Sequence, residues 1–204
     1  MVKIFNDADV VNLLKSIASS ANEIMNDTFE GYMNRNEEAL NSAEEKNRDI
    51  VQLANLLSHK MNELDNIKRE EYALLYSLTG HMQKLKYDHD KLINFTRIKN
   101  KNSIRFTHTA AAEMEELFQG VKAIYSYMND LIISQNPVLF RYIFRETNKY
   151  ELISRRYAIE HEERLSQGLC PAKASSVFLQ MLDAFEDILW HLNSVATDLK
   201  QLSS

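Results

Sequence analysis

The chain of 204 residues carries only 4 Gly and 2 Pro. These residues punctuate turns and break helices, so their scarcity predicts few, long helices and argues against a chain of short strands. A single cysteine, Cys170, excludes an internal disulfide and any cysteine-rich zinc site. No apolar run approaches the roughly 20 residues needed to cross a bilayer. The stretch from Met1 to Asp9 lacks the basic and then apolar segments of a secretory signal, so a cytoplasmic chain is expected. A net charge of -5 disfavours an extended nucleic-acid footprint and any general attraction to anionic lipid. What the chain has in quantity is Leu, Glu, Lys, Met, Ala, Gln and Arg, all good helix formers, with 45% hydrophobic residues to fill a core.

Apolar residues recur at three and four. Val10, Leu13, Leu14, Ile17, Ala21, Ile24, Met25, Phe29, Tyr32 and Met33 define a first helix behind Asp7 and Asp9. After Asn34, Arg35 and Asn36, a second helix carries Leu40, Ala43, Ile50, Leu53, Leu57, Met61 and Leu64. A third, from about Lys68, carries Tyr72, Leu75, Leu78, Met82, Leu85, Leu92 and Ile93. The segment Arg97 to Arg105 has no apolar stripe and sits at the midpoint, so it is read as a hinge. A fourth helix begins near Thr107 or Thr109 and carries Met114, Leu117, Phe118, Val121, Tyr125, Met128, Leu131 and Ile132. Sliding the first helix by 104 residues lays Val10, Leu13, Leu14, Ile17, Ala21 and Ile24 on Met114, Leu117, Phe118, Val121, Tyr125 and Met128, which suggests a duplication. Asn136 and Pro137 form a cap and first turn for a fifth helix, Gly168 ends it, and Pro171 opens a sixth whose broad stripe calls for burial on more than one side. Gly80 and Gly120 fall inside helices, where each costs about 1 kcal/mol unless it admits a close neighbour. The expected architecture is all-α: two tandem antiparallel three-helix bundles, 1–103 and 104–204, made of six long helices.

Catalytic constellations are missing. None of the six His follows a Glu by three residues, as a di-iron bundle requires, and no zinc-hydrolase, glycine-rich phosphate-loop or serine-nucleophile motif occurs. Glu45 and Asp49, four apart, share a helix face and are a candidate pair of oxygen ligands for a hard cation. Asp88 with His89, and Glu186 with His191, are fainter candidates. His191 lies inside an apolar stripe beside Trp190, where a satisfied interior histidine is the ordinary reading.

The stretch His161, Glu162, Glu163, Arg164, Leu165, Ser166, Gln167, Gly168, Leu169, Cys170, followed by a helix through Phe178, Leu182, Phe185, Glu186, Ile188 and His191, resembles the end of PhoU-like domains of bacterial sodium/phosphate cotransporters. There the order is a His, an Arg-Leu pair, a Gly-x-Cys turn and a helix bearing Glu-Arg-Ile-x-Asp-His. The resemblance implies two three-helix bundles in tandem. It implies a non-catalytic cytoplasmic regulator that restrains phosphate uptake or reports phosphate status, commonly as a homodimer, through contact with a membrane phosphate transporter in the same chain or another. It also implies a cluster of iron or a similar divalent cation, held in each bundle by two Glu/Asp-x-x-x-Asp motifs. Carried over, Glu45, Asp49, Asp88 and His89 remain in the first bundle, with Lys84 where an acid is expected. Glu151, Glu186 and His191 remain in the second, with Thr147 and Trp190 in place of carboxylates. Too few oxygens are left for a multinuclear cluster, so the expectation is no cofactor, with iron at degenerate motifs as the lesser reading. The rival is a helical scaffold or dimerisation module without a phosphate role.

Overall fold

The computed structural model describes residues 7–63 and 69–203. Leu64 and Lys68, placed by periodicity at the end of the second helix and the start of the third, lie outside the described residues. Among the described residues there are six helices and no strand: α1 Ala8–Asn34, α2 Glu37–Asn62, α3 Arg69–Lys101, α4 His108–Ser134, α5 Pro137–Ser166 and α6 Ala172–Leu202. The fold is that of two antiparallel three-helix bundles in tandem.

Caps set the boundaries. The Asp7 carboxylate accepts from the N–H groups of Asp9 and Val10 at 2.9 and 3.1 Å, and the Thr107 hydroxyl accepts from Ala110 N–H at 3.2 Å. Arg35 and Gln135 take left-handed backbone, and Asn36 and Asn136 then cap α2 and α5. Gly168 sits at φ 73, where a side chain would be strained, and so stops α5.

Burial reveals the internal repeat. Leu14, Ile17, Ala18, Ala21, Ile24 and Met25 correspond to Met114, Leu117, Phe118, Val121, Ile124 and Tyr125, each pair buried and displaced by 100 residues. The displacement of 104 suggested by the apolar stripe is one helical turn too long. A stripe looks alike after any whole turn, whereas the matched caps Asn36 and Asn136 admit only one register. α3 and α6 carry the same buried spacing, Leu78, Met82, Leu85 and Leu92 in one and Met181, Phe185, Ile188 and Val195 in the other.

The hinge is shorter than expected. α3 continues to Lys101, and only Asn102 to Thr107 connect it to α4. Arg97 is held by Glu37 at 2.6 Å and Glu44 at 3.0 Å, and Lys99 lies 4.3 Å over the Tyr32 ring. Asn100 donates to the Gly31 carbonyl at 2.8 Å. These polar residues therefore dock a helical turn on α1 and α2, which their lack of an apolar stripe conceals.

Equivalent helices face each other across the middle, α1 on α4 and α3 on α6, while α2 packs on α1 and α3 and α5 packs on α4 and α6. α2 and α5 thus lie on opposite flanks. One core runs through both bundles. At its centre Phe118 meets Phe29, Tyr32 and Phe185, with ring centroids 5.3, 5.2 and 4.9 Å away. α6 is buried against α3, α4 and α5, as its broad stripe demands.

A Cβ on Gly120 would stand 2.2 Å from the Tyr150 ring, and one on Gly31 2.4 Å from Leu40, so both glycines admit a close helix contact, whereas Gly80 faces open space. Gly80→Ala is therefore expected to stabilise the protein by up to ~1 kcal/mol through helix propensity. Gly31→Ala is expected to destabilise it by ~1 kcal/mol or more, because Leu40 is fully buried and cannot retreat. Denaturant midpoints of the two variants should move in opposite directions.

Candidate functional site

Two polar assemblies tie the bundles together, and both begin on α3. His89 is 1% exposed. Its Nε2 lies 2.7 Å from the Tyr125 hydroxyl on α4 and its Nδ1 3.2 Å from Oδ1 of Asn47 on α2. The Asn47 oxygen can only accept, which assigns the proton to Nδ1 and leaves Nε2 to accept from Tyr125. The Asn47 amide donates in turn to the Asp90 carboxylate at 2.7 Å and the Lys86 carbonyl at 2.8 Å. Burial holds His89 down to about 4 and pushes Tyr125 well above its usual value, so neither is charged at neutral pH.

Because the folded value of His89 is depressed, its contribution is complete above the unfolded value of roughly 6.5 and is lost as pH falls through that value towards 4. The loss approaches about 3 kcal/mol. Comparing stability across this window, the wild type should lose more than His89→Gln, which carries no titratable ring. Equal acid slopes would remove His89 from the acid transition.

The second assembly lies in the seam between α3 and α6. Asp88 Oδ2 is 3.6 Å from His191 Nε2, and His191 Nδ1 is 2.9 Å from His81 Nδ1, so one of the two rings must donate to the other. Asp88 Oδ2 and, further along, Asp198 Oδ2 are buried without a hydrogen-bond partner. Asp88 and His191 have the spacing of an ion pair, but burial opposes the charge on each. Asp88 is raised to about 7, with Asp187 and Asp183 adding repulsion, and His191 is lowered to about 4, with His81 and Lys84 adding to burial. Lys91 binds Asp183 and lies 3.3 Å from Asp187, fastening the same seam. His81 borders a cleft of about 320 Å³ formed with Phe144, Trp190, Asn193, Thr197 and Asp198.

The residues singled out in the sequence fall into separate places. Glu45 and Asp49 are exposed on α2. Asp88 meets His191, whereas His89 points the other way, to Asn47 and Tyr125. Glu151 pairs with Arg155 at 2.5 Å, and Arg155 Nε also lies 3.6 Å from Glu186. Thr147 donates to the Ile143 carbonyl, and Lys84 and Trp190 are exposed. Among the described residues, no three or more His, Cys, Asp or Glu gather as a metal-holding group. A hard cation takes six or so oxygen ligands, and Glu45 with Asp49 on α2, Asp88 in the seam and Glu151 with Glu186 beside α5 are not gathered into such a set among the described residues.

The His161-to-Cys170 stretch forms a clasp. The His161 ring stacks on Phe178 at 4.3 Å, and Arg164 makes a bidentate pair with Glu113 on α4 at 2.8 and 2.6 Å. Gly168 turns the chain, and Cys170 is buried. The clasp joins α4, α5 and α6 at one end, so its residues hold the fold. Glu113 and Asp198 were missed in the sequence, yet each is a carboxylate in phase with a buried stripe, and such a group requires a partner.

No family model matches the sequence, and no curated protein matches it. Among solved structures, the crystal structure of PhoU from Pseudomonas aeruginosa superposes with a TM-score of 0.76 at 12% identity, covering 96% of this chain and 95% of that one. At that identity the likeness defines the fold: the chain has a PhoU-like, all-α architecture. Among the described residues, no helix is long and apolar enough to cross a membrane.

Proposed function

We propose that the chain is a non-catalytic regulatory domain of phosphate uptake that works by surface contact with a membrane phosphate transporter or its sensor. The observation that supports this reading best is the PhoU-like superposition across 96% of the chain, reached with the same helix order that the sequence suggests. The chemistry agrees with it. His81 meets His191, His191 faces Asp88, and His89 is bonded to Tyr125, so these groups are engaged in joining the helices. The protein on this reading transmits a state through its faces, at the inner side of the membrane, and turns over no substrate.

Deleting the gene should change the phosphate uptake rate, and the tagged protein should co-purify with the membrane part of a phosphate transporter. Unchanged uptake together with no such partner would leave a helical scaffold without a phosphate role. Elemental analysis of the purified protein, with its mass in solution, tests bound iron and dimerisation in one preparation.

A further inference from the structure

The internal repeat supplies a control for what the fold demands of its surface. α2 and α5 occupy equivalent places on opposite flanks, and most of their exposed positions coincide: Glu38, Asn41, Glu45, Asp49, Gln52, Asn55, Leu56 and His59 answer to Val138, Arg141, Arg145, Lys149, Leu152, Arg155, Arg156 and Ile159, while Arg48 is exposed opposite half-buried Asn148 and Phe144 opposite half-buried Glu44. Both acids in the interior of the α2 face, Glu45 and Asp49, have become bases, and polar Gln52 and His59 have become Leu152 and Ile159. Residues 37–61 hold three Lys or Arg and five Asp or Glu, whereas residues 137–161 hold five and three. The fold tolerates either surface, so packing does not explain the character of α5.

Between Val138 and Ile159 the α5 face is made of two chemistries, and the exposed carboxylates Glu162 and Glu163 follow in the last turn. From Val138 to Ile159 its exposed residues are the cations Arg141, Arg145, Lys149, Arg155 and Arg156 and the apolar Val138, Phe144, Leu152 and Ile159. Leu152 and Ile159 are 66% and 61% exposed, and Trp190 of α6 extends the face beside Phe144 at 52%. The carboxylates of this segment are less exposed: Glu146 and Glu151 lie at the edge, bound by Arg145, Lys149 and Arg155, and Glu160 pairs with Arg156. At 3.6 residues per turn the nine exposed side chains fall within an arc of about 140° along a ridge of roughly 32 Å.

From this juxtaposition of interleaved cations and large apolar side chains we propose that the outer face of α5 is a docking surface for an anionic lipid bilayer. A ridge of this length, bordered at Phe144 and Trp190 by the cleft next to His81, offers an extended contact to a plane. Phe144, Leu152, Ile159 and Trp190 enter the headgroup boundary, while the Arg and Lys stems lie along it and carry their charges to lipid phosphates. The molecule is polarised across its width, so its overall charge of -5 does not oppose binding in this orientation: the acidic α2 flank faces away. A second copy offering its α2 flank would match the charges but would set Gln52 and His59 against Leu152 and Ile159. The inference rests on surface chemistry and does not depend on the phosphate reading.

Co-sedimentation of the whole chain with phosphatidylcholine vesicles, with and without a minority of phosphatidylglycerol, tests it. Binding should require the anionic lipid and weaken with added salt. Arg145→Glu with Lys149→Asp, and separately Leu152→Gln with Ile159→His, should each weaken binding roughly tenfold or more. Both pairs install the residues that α2 carries at equivalent positions, so the fold is expected to survive, as circular dichroism would verify. Glu45→Arg with Asp49→Lys on the opposite flank should not weaken binding. Failure of the wild type to bind anionic vesicles, equal binding to neutral ones, or unchanged binding by the α5 variants would overturn the proposal. A salt-sensitive self-association abolished by the charge reversal, without vesicle binding, would assign the face to a second copy instead.

Discussion

Phe118→Ala is expected to cost about 3–5 kcal/mol, a large part of the roughly 5–15 kcal/mol that holds a domain folded. The ring is wholly buried and contacts Phe29 and Tyr32 of α1 as well as Phe185 of α6, so its removal leaves a cavity shared by both bundles. Surrounding side chains belong to four-helix packing in the middle of the molecule and can collapse only in part. Because α1 rests on α4 and α3 on α6 along their lengths, the loss should also be felt in α1 to α3. Thermal or urea unfolding followed by circular dichroism should show one transition at a lower midpoint. Two separated transitions, with the first bundle unaffected, would mean that the seam carries little of the stability.

The second large effect concerns the clasp. Glu113→Ala should cost about 3 kcal/mol, because Arg164 would be left largely buried without its carboxylate. Burial raises the Glu113 carboxyl, and its bonds to Arg164 offset that only in part. Replacing both partners by apolar residues of similar size, Glu113→Leu with Arg164→Met, should recover most of the loss. A double variant as unstable as the single one would show that the pair positions the α5–α6 turn in a way apolar packing cannot replace. The Gly168 turn and buried Cys170 follow directly on Arg164, so altered protease sensitivity at that turn is a useful second readout.

Much of the fold was legible in local chemistry. Asn136 with Pro137, Thr107 and Gly168 mark helix ends because each supplies a hydrogen bond or a backbone angle that the helix itself lacks. The register of the repeat was not legible from the stripe, since apolar spacing is unchanged by sliding a whole turn, and only the paired caps fix it. Arg97, Lys99 and Asn100 read as a loop because their partners, Glu37, Glu44, Tyr32 and Gly31, are distant in sequence. The same holds for the site. His191 was read correctly as an interior histidine, but nothing near it in sequence announces His81 or Asp88, which come from α3 across the seam. The Arg-Leu and Gly-x-Cys pattern was legible as a resemblance, and its physical meaning emerged only with Glu113 in view.

α3 and α6, the third helix of each unit, face each other across the seam, and Asp88 of one lies 3.6 Å from His191 of the other. Equivalent helices that meet across a seam, α1 with α4 and α3 with α6, mark a pseudo-twofold axis. In a dimer of identical single bundles every residue of that seam would appear twice, so an acid or a base could not stand on one side alone. Joining the copies in one chain lifts that constraint. One copy can present the acid and the other the base, and the outer flanks are equally released to take opposite signs. Covalent fusion thus converts a symmetric assembly into a molecule with two unlike faces.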